Sequence, residues 1–130
     1  MIVVDASALV AILMDEPEKS IFIAQLSRYP ASMSPVGYWE AAVNMEKYRG
    51  DAGVADLDAL IALFAITVRP MPAKAAEEAF AAHRMFGRRT PAKLNMGDCF
   101  AYALAKELNA PLLFKGGDFS HTDIAAALPA

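Results

Sequence analysis

The sequence is poor in the features that mark several large classes of protein. A single cysteine, Cys99, stands among 130 residues, which rules out an intrachain disulfide framework, and no Cys/His grouping has the spacing of a zinc site. No glycine-rich phosphate-binding spacing follows the first apolar run, which argues against a dinucleotide oxidoreductase. The longest apolar stretch, Ala59 to Val68, is about half of what crosses a bilayer, and Asp58 and Arg69 flank it. The first residues lack a basic region and carry Asp5 where a secretion signal would be apolar. Cations are not in excess either: 12 Lys and Arg stand against 15 Asp and Glu, a net charge of −3. A broad basic face for gripping duplex DNA is therefore excluded, whereas a local basic patch is not. These absences lead us to expect a cytoplasmic protein without a membrane segment.

What the chain has in abundance is apolar side chains, at 56% of residues, above the share usual for a soluble domain. The length suits one domain, residues 1–130, able to bury a sizeable core. The apolar surplus, concentrated in helical stretches 8–27 and 54–65, is a candidate subunit or partner interface.

Ile2 to Val4 reads as a buried strand ending at Asp5, followed by a helix from Ser7 to Met14 and another running to Arg28. Ala31 to Met33 reads as a second strand, after which Ser34-Pro35 caps a helix running to Arg49. Asp51 and Gly53 mark an expected turn before a helix over Val54–Phe64, and Ile66 to Arg69 reads as a third strand. A helix over Ala73–Phe86 stops at Gly87. After a loop, Asn95 caps a helix over Met96–Leu108, and Pro111 to Lys115 reads as a strand turned by Gly116-Gly117. Strands separated by helices predict an α/β fold, a three-layer α/β/α domain with a short, mostly parallel central sheet.

Ligands in such a sheet bind beyond the carboxyl ends of the strands, and acids fall there. Asp5 follows the first strand and Asp118 the last, Asp98 lies in the first turn of its helix, and Glu40 lies in the helix after the second strand. Each has a plainer role open to it: a cap for Asp5, a dipole partner for Asp98, a turn residue for Asp118, a solvated position for Glu40. Gathered together, they would repel one another unless a hard divalent cation offset their charge. Mg²⁺ fits best, with Mn²⁺ as the other candidate, and carboxylate-held Mg²⁺ usually acts on phosphates.

The opening Ile2-Val3-Val4-Asp5-Ala6-Ser7-Ala8-Leu9 resembles the first acidic motif of the PIN-domain nucleases, and specifically of the VapC toxins. Glu40 lies where that family has its second acid. Leu94 to Ala105, around Asp98, and Leu112 to Phe119, around Asp118 and followed by Thr122-Asp123-Ile124, resemble the third and fourth motifs in order and spacing. Gly117 departs from the family, in which many members carry a polar residue. The resemblance implies the toxin of a type II toxin–antitoxin pair, a Mg²⁺-dependent endoribonuclease that cuts RNA, whether tRNA, rRNA or mRNA, and arrests translation. It implies a homodimer, a hetero-oligomer with a VapB-type antitoxin, and Asp5, Glu40, Asp98 and Asp118 as catalytic metal ligands. A catalytically silent RNA- or protein-binding module on the same fold is the alternative.

Asp123, at the start of an expected final short helix, is a further candidate for a second metal or an attacking water. Ser7 and Asn95 are expected to orient Asp5 and Asp98, and Thr122 to do the same for Asp118 or Asp123. Arg84, Arg88, Arg89 and Lys93 form a cationic run with no acid between Glu78 and Asp98, a candidate guide for RNA phosphates. Lys115, beside the fourth acid, is another phosphate candidate. Tyr38 and Trp39 could stack a base, with core packing the favoured role for Trp39, and Cys99 reads as a packed core thiol.

Overall fold

The computed structural model describes residues 1–128. Strand β1 (Ile2–Val4) leads into helices α1 (Ala6–Leu13) and α2 (Lys19–Arg28), then β2 (Ala31–Met33), α3 (Pro35–Leu63) and β3 (Thr67–Val68). Helices α4 (Ala73–Phe86) and α5 (Met96–Leu108) precede β4 (Leu112–Leu113) and a 3-10 turn over Asp118–His121. The strands form one parallel sheet in the order β3-β2-β1-β4.

Strand β1 is apolar at every position because both its faces are covered. Ile2 and Val4 join the core formed with α1, α2 and α3, while Val3 joins the core formed with α4 and α5. Leu113 and Leu112 divide between the two cores in the same way. The predicted three layers are therefore present, with every strand pair parallel. The chain reaches β2 on one side of β1 and β4 on the other, its crossover helices lying on opposite faces. A cleft then opens at the carboxyl end of β1, where Asp5 sits.

Local departures from the expected elements have clear causes. The turn expected at Asp51–Gly53 falls instead at Gly50, whose φ of 63° breaks the helical backbone inside α3. The two arms of α3 are tied across that break by Tyr38, whose hydroxyl donates to Asp58 at 2.7 Å, and by an ion pair of Arg49 with Asp56. The last strand is shorter than Pro111–Lys115 because its ladder to β1 ends at Leu113. No helix begins at Asp123. The 3-10 turn precedes it, and the chain beyond it is extended, bridging Leu112 through Ala126 and covering the outer edge of β4.

Candidate metal centre

Three backbone devices carry the acids to one place. Asp5 is the N-cap of α1: its Oδ2 accepts from the Ser7 backbone N–H at 3.0 Å. The carboxylate is thereby fixed at the strand end, and its other oxygen, Oδ1, is buried with no hydrogen-bond partner among the described residues. Asp98 forms a reciprocal capping box with Asn95, accepting from the Asn95 N–H at 3.0 Å while the Asn95 side chain accepts from the Asp98 N–H at 2.8 Å. Glu40 lies in the second turn of α3, whose start is capped by Ser34. Capping and site-building are thus the same act for Asp5 and Asp98, so the plainer and the functional readings of the sequence do not compete.

One oxygen from each of Asp5, Glu40 and Asp98 lies within 4.8 Å of the others. Asp118, exposed at the start of the 3-10 turn, lines the same pocket of about 580 Å³. Gly116 presents it from a backbone with φ of 100°, a conformation side chains other than glycine rarely adopt. Gly117, the departure from the family pattern, has φ of −100° and needs no glycine.

Crowding of like charge out of water shifts these acids upward. Burial raises Asp5, opposed by hydrogen bonds from Ser7 and Ala6 and reinforced by the charge of Asp118. Burial and then the charge of Asp5 raise Glu40. The same two causes, ahead of Glu40 and Asp118, push Asp98 up to about 7. Three carboxylates gathered this closely, one of them with an orphaned buried oxygen, fit a hard divalent cation, whose oxygen preference matches this donor set.

Two polar lining residues escaped the sequence reading. Asn44 stands one helical turn beyond Glu40, an i, i+4 spacing that could have found it, and Glu16 enters from the turn between α1 and α2. Gly97 escaped it as well. A Cβ built there would lie 2.8 Å from Glu40 Cδ and 2.9 Å from its Oε1, so the Glu40 carboxylate occupies the space a side chain would fill. Its signal in the sequence is only its place beside Asp98.

Other expected positions move. Asp123 does not line the acidic pocket; its carboxylate accepts from the Tyr102 hydroxyl at 2.6 Å and pairs with Lys106 at 2.7 Å, and these bonds hold it below the usual carboxylate range. The Thr122 hydroxyl donates to the Phe119 carbonyl and accepts from the Ile124 N–H, touching neither Asp118 nor Asp123. The reason is local: a hydroxyl after a 3-10 turn meets the backbone it has just left. The Ser7 hydroxyl accepts from the Lys115 N–H, pinning the exit of β4 to α1. The Lys115 ammonium lines the pocket but pairs with Glu16 and Glu18. Arg84, Arg88, Arg89 and Lys93 are exposed around the end of α4 and the loop into α5, beside Asn95. Trp39, expected in the core, is 59% exposed because its helix turns Gly37 and Ala41 inward instead. Cys99 is buried, and burial pushes its thiol up to about 11, as a packed core thiol requires.

Comparison with known proteins follows the same lines. The sequence model of the PIN domain matches residues 2–125. Ribonuclease VapC30 of Mycobacterium tuberculosis is 45% identical over 130 residues, covering 98% of this chain and 99% of that protein. Among solved structures, Mycobacterium tuberculosis VapC20, described as a sarcin–ricin loop cleaving toxin, superposes with a TM-score of 0.82 at 16% identity, covering 99% of this chain and all of that one. A toxin–antitoxin complex from Klebsiella pneumoniae gives a TM-score of 0.69 at 18% identity over 95% of this chain and 93% of that one. These two likenesses bear on the fold, which they share with this chain. The match along nearly the whole sequence and the identity to VapC30 place the chain in the PIN-domain family, as one of its VapC ribonucleases.

Proposed function

We propose that this chain is a single-domain, Mg²⁺-dependent endoribonuclease and the toxin of a toxin–antitoxin pair, hydrolysing a phosphodiester bond of RNA at the Asp5–Glu40–Asp98 cluster. The observation that carries this reading is the convergence of the three carboxylates, one oxygen of each within 4.8 Å of the others, with Asp5 Oδ1 buried and unpartnered among the described residues. Asp5, Glu40 and Asp98 would hold Mg²⁺, or Mn²⁺ in its place, with Asp118 completing the set directly or through water. When bound, such an ion lowers the pKa of a water and offsets charge building on phosphate oxygens.

The rest of the work falls to the chain itself. The Asn95 and Ser7 backbone N–H groups hold Asp98 and Asp5 in fixed orientation, so the donor oxygens stay aimed into the pocket. Asp118, at the exposed rim, orients the incoming water. The new bond joins that water's oxygen to phosphorus, its proton leaving to solvent, and the P–O3′ bond breaks with O3′ taking a proton from solvent, leaving a 3′-hydroxyl and a 5′-phosphate. Arg84, Arg88, Arg89 and Lys93 draw the strand's phosphates toward an otherwise acidic protein. Lys115 would exchange Glu16 and Glu18 for a phosphate oxygen.

Among the described residues no helix is long and apolar enough to cross a membrane, in keeping with our placing the protein in the cytoplasm. The apolar surplus supports assembly as a homodimer and with a VapB-type antitoxin. A face between α2 and the end of α3, with Leu63 exposed and Leu60 and Ile23 half-buried, supports the antitoxin contact. The test is cleavage of a cellular RNA pool by antitoxin-free protein, with Mg²⁺ and with chelator, beside Asp98→Asn. Discrete cuts that vanish with chelator and in the variant are expected. Intact RNA with folded, metal-loaded protein would turn the reading to a silent binding module.

A further inference from the structure

We infer that the groove between α4 and α5 is a nucleobase subsite, taking one unpaired base of the RNA strand whose phosphate lies at the acidic pocket. The inference rests on the nuclease reading and adds to it where the substrate is gripped. The groove has a volume of about 430 Å³, and its floor is apolar, built from the buried side chains of Ala79, Leu94 and Cys99. On its wall Phe80 is 56% exposed, a large aromatic that the core does not use. The His83 ring stacks near it, with centroids 6.2 Å apart and planes 18° from parallel, and the Arg84 guanidinium lies 4.7 Å from the Phe80 centroid. An exposed aromatic ring with a guanidinium stacked over it is a mixed aromatic and cationic platform of the kind that takes a base with flanking phosphates.

Position ties this groove to the chemistry. Asn95 lines both the groove and the acidic pocket, so the two share one side chain as a wall. A base in the groove and a phosphate at the acids can then belong to adjacent parts of one strand.

Charge decides between occupants. Arg88 lines the groove, Arg84 and Arg89 line an adjoining pocket that shares Phe80, His83 and Arg88 with it, and Lys93 follows in the same loop, with no acid between Glu78 and Asp98. A second copy docked here by a two-fold axis would bring these cations against themselves. A single RNA strand instead supplies an apolar face for the floor and anions for the rim.

The test is binding of a short unstructured RNA of mixed sequence and of an abasic strand of the same length, measured in chelator so that the strands stay intact. The proteins compared are the unaltered chain, Phe80→Ala, Phe80→Trp and Trp39→Ala; because Phe80 is exposed, its replacement spares the core. The unaltered chain is expected to bind the RNA roughly 5- to 150-fold more tightly than the abasic strand, the span that one stacked base supplies. Phe80→Ala should lose that ratio, while Phe80→Trp and Trp39→Ala keep it. The subsite is overturned if the unaltered chain shows no such ratio, if Phe80→Ala retains it, or if it vanishes in Trp39→Ala instead. It is equally overturned if Phe80→Ala leaves RNA binding unchanged and shifts self-association or the binding of an acidic peptide. Base-dependent binding by a chain that cuts no RNA in Mg²⁺ would sink the nuclease reading and leave the subsite standing.

Discussion

Asp5 and Asp98, which line the acidic pocket together with Asp118, are held in the opposite way to that residue. The first two are buried and bonded to the backbone of the helices they cap, so their positions are set by secondary structure itself. Asp118 stands exposed on a short 3-10 turn beyond two glycines. The pocket thus combines a rigid, desolvated half that repels itself without a cation and a solvated half that can adjust to substrate. Rigidity comes from hydrogen bonds the helices need anyway, and adjustability from an exposed side chain on a turn that the core holds next door, through Phe119.

The sharpest way to break this contrast is to neutralise one acid of each half. Asp98→Asn should abolish detectable cleavage and weaken Mg²⁺ binding, read by calorimetry, by more than about 100-fold, beyond the range seen when only a supporting group is lost. Because Asn can still accept from the Asn95 N–H, the capping box survives and the metal-free protein should melt no lower than the unaltered chain. Asp118→Asn should reduce cleavage by roughly 10- to 100-fold while leaving most of the metal affinity. Equal losses in both variants would erase the distinction between the halves.

Gly97→Ala asks whether the rigid half needs its close packing. The added Cβ would displace the Glu40 carboxylate, and Mg²⁺ affinity should fall roughly 10- to 100-fold, with the far-ultraviolet dichroism of the helices retained. Unchanged affinity would show that Glu40 can reach the ion from elsewhere.

Acidity supplies a third comparison. The folded value of Asp98, about 7, lies above its ordinary 3.8. Its protonated form therefore favours the fold at low pH, and that stabilisation is lost as pH rises through about 7. The metal-free protein should accordingly melt lower at pH 8 than at pH 5.5. Saturating Mg²⁺ should remove this dependence, because the ion replaces the proton, and Mg²⁺ affinity should rise over the same interval. A metal-free melting temperature that climbed over this interval would contradict the crowding of the three acids.

The smallest effect belongs to Asp123. Its bonds to Tyr102 and Lys106 tie the last extended segment to α5 at an exposed position. Asp123→Asn should lower stability in denaturant titration by no more than about 1 kcal/mol and leave cleavage unaltered. A loss of metal binding in this variant would restore Asp123 to the site.

The sequence by itself determined the strand–helix alternation, the parallel sheet and the two caps. These follow from apolar runs, periodicity and short-range capping chemistry within a few residues of each acid. It also placed Asp5 and Asp118 after strands, Asp98 in the first turn of its helix and Glu40 within the helix after the second strand, near where a parallel sheet brings ligands. Only the tertiary structure decided what depends on residues far apart in the chain. Gly97 matters because α3 lays Glu40 against it, 57 positions earlier in the sequence. Asp123 does not line the acidic pocket, and its carboxylate is taken up by Tyr102 and Lys106, on a helix already passed. Trp39 and Glu40 are adjacent in sequence, but one helical step turns them to different surroundings, Trp39 to solvent and Glu40 to the acids. Which of two neighbouring side chains the core receives is set by the packing of whole helices, and that information is spread along the chain rather than written beside either residue.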